Sequence, residues 1–172
     1  AFRVRAAGKR VFYQPRAVVV HFEGKSSGTD LTQGIKKHQV INQGTFVNRW
    51  RNVLAKHRIN GLSPQLERDR YSKRRVLVLD ACMLTPDQDA GSLRMFEMLK
   101  IMAGMGCKVT FVADNLEYRS PYTQQIQSLG VEVLWHPFYA SVSALLQRTA
   151  AQYDVVMLSR ATVAVKYVDL VK

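Results

Sequence analysis

The chain has 172 residues, 47% of them apolar and 22% charged, which are the proportions of a folded globular protein rather than a disordered one. No window approaches the roughly 18 consecutive apolar residues that a membrane-spanning helix needs, so a spanning helix is excluded. The net charge of +12 is unevenly placed: residues 1–75 hold 17 Lys and Arg against 4 Asp and Glu, while residues 76–172 hold 8 against 9.

In the first stretch, "AFRVRAAGK", Gly8 can take the left-handed conformation that stops a helix. Pro15 suits the edge or start of a strand. The run Ala17–Val20 predicts that strand, which delivers His21 to the loop "EGKSSG". Such a histidine can offer a ring lone pair outward, or it can simply bond a neighbouring carbonyl at the strand end. The segment "DLTQGIKKHQVINQGTFVNRWRNVLAKH" then predicts helix, with Phe46, Val47, Trp50, Val53 and Leu54 on one face and Asp30 as a cap. Gly34 and Gly44 weaken it, and a break is expected near one of them. Trp50 reads as a packing residue ahead of a sugar-stacking one. His38 and His57 have no Cys or acidic partner at metal-ligand spacing.

The stretch "HRINGLSPQLERDRYSKRR" is polar and turn-rich, and residues 58–74 are expected to be a linker. It separates residues 1–57 from residues 75–172.

Beyond it the pattern becomes regular. "RRVLVLD" is a buried parallel strand by composition. A loop holding Pro86 and Gly91 follows. "SLRMFEMLKIMAGMG" predicts a helix with Ser92 as its cap, a polar stripe of Arg94, Glu97 and Lys100, and a stop at Gly104 and Gly106. "CKVTFVAD", "VEVLW" and "YDVVMLSR" predict three more strands, separated by the helices "SPYTQQIQSLG" and "SVSALLQRTAAQ" and followed by "ATVAVKYVDLVK". Four strand–helix alternations imply a Rossmann-like parallel sheet with helices on its faces and a working edge in the loops after Asp80, Asp114, Trp135 and Ser159. No glycine fingerprint for a dinucleotide and no phosphate loop ending in Gly-Lys-Ser/Thr is present. Gly91 and Ser92 open a helix whose amides could hold an anion or a sugar hydroxyl; equally, Gly91 could only make the turn and Ser92 only cap. Cys82 and Cys107 lie beside apolar runs without Cys-x-x-Cys spacing and are expected to be two buried thiols.

The stretch "RRVLVLDACMLTPDQDAGSLRMFEMLKIMAGMGCKVTFVADN" resembles the N-terminal lobe of a GT-B fold glycosyltransferase of the family 4 kind, over residues 74–172. The resemblance implies an acceptor-binding lobe whose nucleotide-sugar lobe would lie beyond Lys172. Where many relatives carry a histidine after the fourth strand, this chain has Ser159 and Arg160, and Arg160 could instead bind a phosphate of donor or acceptor. His136, after the third strand, reads as a loop residue. The opening stretch "AFRVRAAGKRVFYQPRAVVVHFEGKSSG" resembles the end of a family 2 (GT-A) catalytic domain, with Arg3, Gly8, Pro15, Ala17 and His21 at matching positions. That resemblance implies that His21 faces the nucleotide-sugar diphosphate and, in some members, ligates a divalent cation, with Lys25 meeting phosphate charge. It implies Mg or Mn for this domain and no cofactor for the GT-B lobe. The carboxylate base and the Asp-x-Asp of the family would lie before Ala1.

The fold expected is therefore α/β: the C-terminal remnant of a GT-A domain with a trailing helix, then part of a GT-B N-terminal lobe. The function implied is a glycosyltransferase, inactive as this piece alone, that moves sugars from nucleotide sugars to a surface polysaccharide or lipid-linked glycan. Expected partners are a nucleotide sugar and a glycan or lipid-diphosphate acceptor, with no nucleic acid. The expected location is cytoplasmic, and the basic half also suits peripheral association with the inner face of the membrane. The rival class is a basic nucleic-acid-binding module joined to a non-catalytic nucleotide-binding domain. Its bases are scattered, and no helix-turn-helix, zinc-finger or RNA-recognition motif accompanies them.

Overall fold

The computed structural model describes residues 1–9, 11, 17–22, 30, 32 and 34–171. The chain divides into two units, Ala1–Ser63 and Pro64–Lys172.

In the first unit, helix α1 (Phe2–Ala6) ends at Gly8, whose φ of 71° is the left-handed stop expected there. Helix α2 (Lys37–Leu54) follows a short 3-10 turn, Gly34–Lys36. The break falls at Gly34, with φ 59°, and the helix runs through Gly44; its one non-helical residue is Trp50. A single glycine costs a helix only about 1 kcal/mol, which its neighbours absorb. Phe2 packs edge-on against Phe46 at 5.0 Å between ring centroids and also meets Trp50 and His57. Trp50 is thus in an aromatic contact, but it is not buried. Asp30 does not cap a helix: its Oδ1 accepts from the N–H and Oγ1 of Thr32 in a local turn, and these bonds hold its carboxyl below the usual range. Residues 17–22 have no strand ladder, because no neighbouring strand stands beside them among the described residues. None of the described residues of this unit is buried.

The second unit is a doubly wound α/β layer. Helix α3 (Pro64–Arg68) precedes β1 (Arg75–Asp80), α4 (Ala90–Gly104), β2 (Lys108–Ala113), α5 (Tyr122–Ser128), β3 (Glu132–Leu134), α6 (Val142–Thr149), β4 (Val155–Leu158) and α7 (Ala161–Tyr167). The strands are all parallel in the order β3-β2-β1-β4, with Val76 beside both Val109 and Val155. β1 therefore lies between two neighbours, and its residues 76–80 are all buried, as its unbroken apolar run requires. Alternate side chains of the sheet feed two cores. Val76, Val78 and Phe111 meet Met95 and Leu99 of α4 and Ile126 of α5. Leu77, Leu79 and Val112 meet Leu145 and Leu146 of α6 and Val163 and Tyr167 of α7. The change of face follows from the topology. Right-handed crossovers that step outward from β1 to β3 keep α4 and α5 on one side, and the return to β4 puts α6 on the other.

Part of the stretch expected as a linker is folded onto this unit. Arg68 donates to both Glu132 oxygens, each at 3.1 Å, and to Asp69, while the Lys73 N–H bonds the Gly106 carbonyl. The thiols also differ from expectation: Cys82 is exposed and Cys107 half-buried. Cys82 falls in the loop after β1, and apolar flanks alone did not bury it. No described helix is long and apolar enough to cross a membrane.

Candidate functional site

In a parallel sheet the loops after two neighbouring strands separate where their crossovers run to opposite faces, and a crevice opens there. Here that point lies between β1 and β4. A cleft of about 280 Å³ occupies it, lined by Asp80, Gly91, Arg94, Met95, Met98 and the run Met157–Arg160.

Its organising contact joins the ends of the two strands. Arg160 Nε donates to Asp80 Oδ1 at 2.8 Å, and the Ala81 N–H donates to the same oxygen at 2.7 Å. Asp80 is only 2% exposed, so its charge needs those partners. Arg160 is half exposed; the Asp80 carboxylate raises its already high pKa, and it remains a fixed cation. Its two terminal nitrogens make no further hydrogen bond among the described residues. The Arg160 backbone has φ 74° and ψ 142°, a conformation that costs a residue with a Cβ about 1–3 kcal/mol. The strand pairing and the Asp80 bond hold it there.

The loop before α4 forms the opposite wall. Asp89, not Ser92, caps this helix: Asp89 Oδ1 accepts the Ser92 N–H at 2.8 Å, and Thr85 Oγ1 donates to Oδ2. The Asp89 carboxyl lies below its usual range, chiefly through the nearby Ser92 hydroxyl and then the Ser92 N–H, with Thr85 and Arg160 adding smaller contributions. The Ser92 hydroxyl itself is fully buried and forms no well-aligned bond. The helix end thus already holds a carboxylate, and an incoming anion gains less from its amides than the sequence suggested. Gly91 has a steric role as well. A Cβ there would stand 3.1 Å from Asp89 Oδ1 and 3.8 Å from Arg160 Nη2, so a larger residue would crowd the cleft wall.

The structure therefore brings Gly91 and Arg160 to one cleft, while Ser92 is buried and does not line it. Asp80 and Arg94, which the sequence marked only as a strand end and as part of a helix's polar stripe, join Ser159 in the polar lining. The only sequence signal for Asp80 was an acid ending an apolar strand. The next strand end holds a second such acid: Asp114 accepts from Lys166 Nζ at 2.9 and 3.0 Å and from the Tyr167 hydroxyl. His136 lies after β3, where its N–H bonds the Leu116 carbonyl.

His21 is exposed in the first unit, and Lys25 lies outside the described residues. No three His, Cys, Asp or Glu side chains gather as a metal set among the described residues. The cleft can offer a ligand two guanidinium groups, a strand-end carboxylate and a floor of methionine side chains. No protein family, characterised protein or solved structure matches the chain.

Proposed function

We propose that the chain is part of a glycosyltransferase that moves sugars from nucleotide-sugar donors to a growing surface polysaccharide or lipid-linked glycan. The observation that carries this reading is the cleft between the ends of β1 and β4, with a guanidinium fixed at its rim by a buried acid. Sugar transfer releases a diphosphate, and a preorganised cation stabilises the charge that develops on it without a metal. Arg160 has the chemistry for that contact, since its planar group can donate two parallel bonds to a phosphate. Arg94 adds a second cation on the α4 wall. The second unit serves in this reading as the acceptor-side lobe. His21 and Lys25 serve the diphosphate of a separate family 2 site, with Mg or Mn as its cation, in an enzyme working at the cytoplasmic face of the membrane.

The test is a titration of isotope-labelled chain with uridine diphosphate, a panel of nucleotide sugars and a short-chain polyprenyl diphosphate, followed by NMR. At least one of them should shift the amide signals of Gly91, Ser159 and Arg160, and Arg160→Ala should abolish the response. If every ligand in the panel leaves those amides unmoved, the reading is wrong.

A further inference from the structure

We propose that α2 is an interfacial helix that docks the first unit on an anionic lipid surface. Four observations meet in it. First, none of its seven apolar side chains is buried: Val40 is 58%, Ile41 62%, Phe46 40% and Val47 45% exposed. Second, Phe2 covers only the Phe46 and Trp50 part of its apolar stripe. Val40 and Val47, seven residues apart and so nearly in line along the helix, form a ridge that takes part in no aromatic contact or core cluster among the described residues. Third, α2 contains Lys37, Arg49 and Arg51 and no acid, within an acid-free run from residue 31 to residue 66. Fourth, the unit as a whole carries 12 Lys and Arg against 2 acids.

Ordinary surface helices mix both signs, since ion pairs three or four residues apart stabilise them. A helix with cations alone beside uncovered aliphatic side chains suits a partner that is anionic and apolar at successive depths. A lipid headgroup layer over acyl chains has that profile. Nucleic acid shares the charge but offers no counterpart to the Val40–Val47 ridge, and so it fits less well. The inference rests on α2 and not on the sugar-transfer reading.

The experiment is co-sedimentation of the full chain with vesicles of phosphatidylcholine alone or mixed with phosphatidylglycerol, at low and physiological salt. Binding should require the anionic lipid and weaken with salt. Lys37→Gln with Arg51→Gln, the two bases that flank the Val40–Val47 ridge at helical spacing, should lower the partition coefficient about 25-fold, at about five-fold per base. Val40→Leu with Val47→Leu should raise it roughly 15-fold, about four-fold per added CH₂. This second pair matters because it keeps apolar side chains at exposed positions and so leaves the fold in place, and sedimentation without vesicles separates aggregation from binding. Equal binding to both vesicle types, or leucine variants that bind no tighter, would overturn the proposal. So would duplex DNA that binds the chain while anionic vesicles do not. Uridine diphosphate shifts at Arg160, read on the same samples, keep the outcome separate from that of the transfer reading.

Discussion

Arg160 is strained in its backbone and bonded through its side chain, and two substitutions separate the two effects. Arg160→Ala removes the bond to Asp80 but keeps a Cβ at φ 74°. Arg160→Gly removes both the bond and the strain. Asp80 is buried, and breaking a fully buried pair costs about 3–5 kcal/mol. The Arg160 side chain, however, is 46% exposed, so solvent screens it and compensates Asp80 in part. The loss should therefore be about 1–2 kcal/mol, near the upper end for partly exposed pairs. The alanine variant bears that loss in full. The glycine variant recovers about 1–3 kcal/mol of strain and gives back about 0.4–1 kcal/mol through the freer unfolded chain. It should be more stable than alanine by about 1 kcal/mol, a difference of about 4 °C in Tm. Urea and thermal unfolding followed by circular dichroism would measure this. A glycine variant no more stable than the alanine variant would show that the chain pays no strain at Arg160, and the argument that the site holds an unfavourable backbone would fail.

Three other outcomes are expected. Leu99→Ala, at a position with no exposed surface in the α4 core, should cost about 2–5 kcal/mol in urea unfolding. Asp89 has a folded-state pKa below its unfolded value, so its contribution is present above the unfolded value and is lost as pH falls through the folded one. The stability gap between wild type and Asp89→Ala should therefore be full at pH 6 and close in acid, which thermal melts across about pH 2–6 would follow. Trypsin should cut first after Lys56 or Arg58, both exposed, and later at Arg68 and Arg75, which are tied to Glu132 and Asp69; mass spectrometry of the early fragments reads the order.

The sheet unit was legible because its central strands β1 and β2 are buried on both faces and its helices are punctuated. "RRVLVLD" can bury five successive residues only inside a parallel sheet, and Gly106 and Gly130, both at positive φ, mark where α4 and α5 stop. The strand order was not legible, since local patterns do not say on which side of β1 the fourth strand returns. The Asp80–Arg160 bond was hidden for the same reason, with its partners 80 positions apart. Arg160 and Gly91 could be named from their places after a strand and before a helix, but not the acid that orients the guanidinium. The cap was misplaced by three residues because Asp89 and Ser92 are both good caps, and only the geometry chooses between them. In residues 58–74 composition suggested a free linker, and a long-range pair between Arg68 and Glu132 decided otherwise for the part near the sheet.

The order β3-β2-β1-β4 also has a kinetic meaning. The pairings of β1 with β2 and of β2 with β3 each close over a single helix, whereas β4 must find β1 across the whole of the intervening chain. Closing a longer loop costs more entropy before any contact repays it. The three-strand half can therefore assemble first, and β4 docks onto a ready edge. Because the cleft exists only between β1 and β4, it is finished by that last step. A ligand that fills it binds only molecules in which β4 is in place, and it slows the escape of the strand that arrives last.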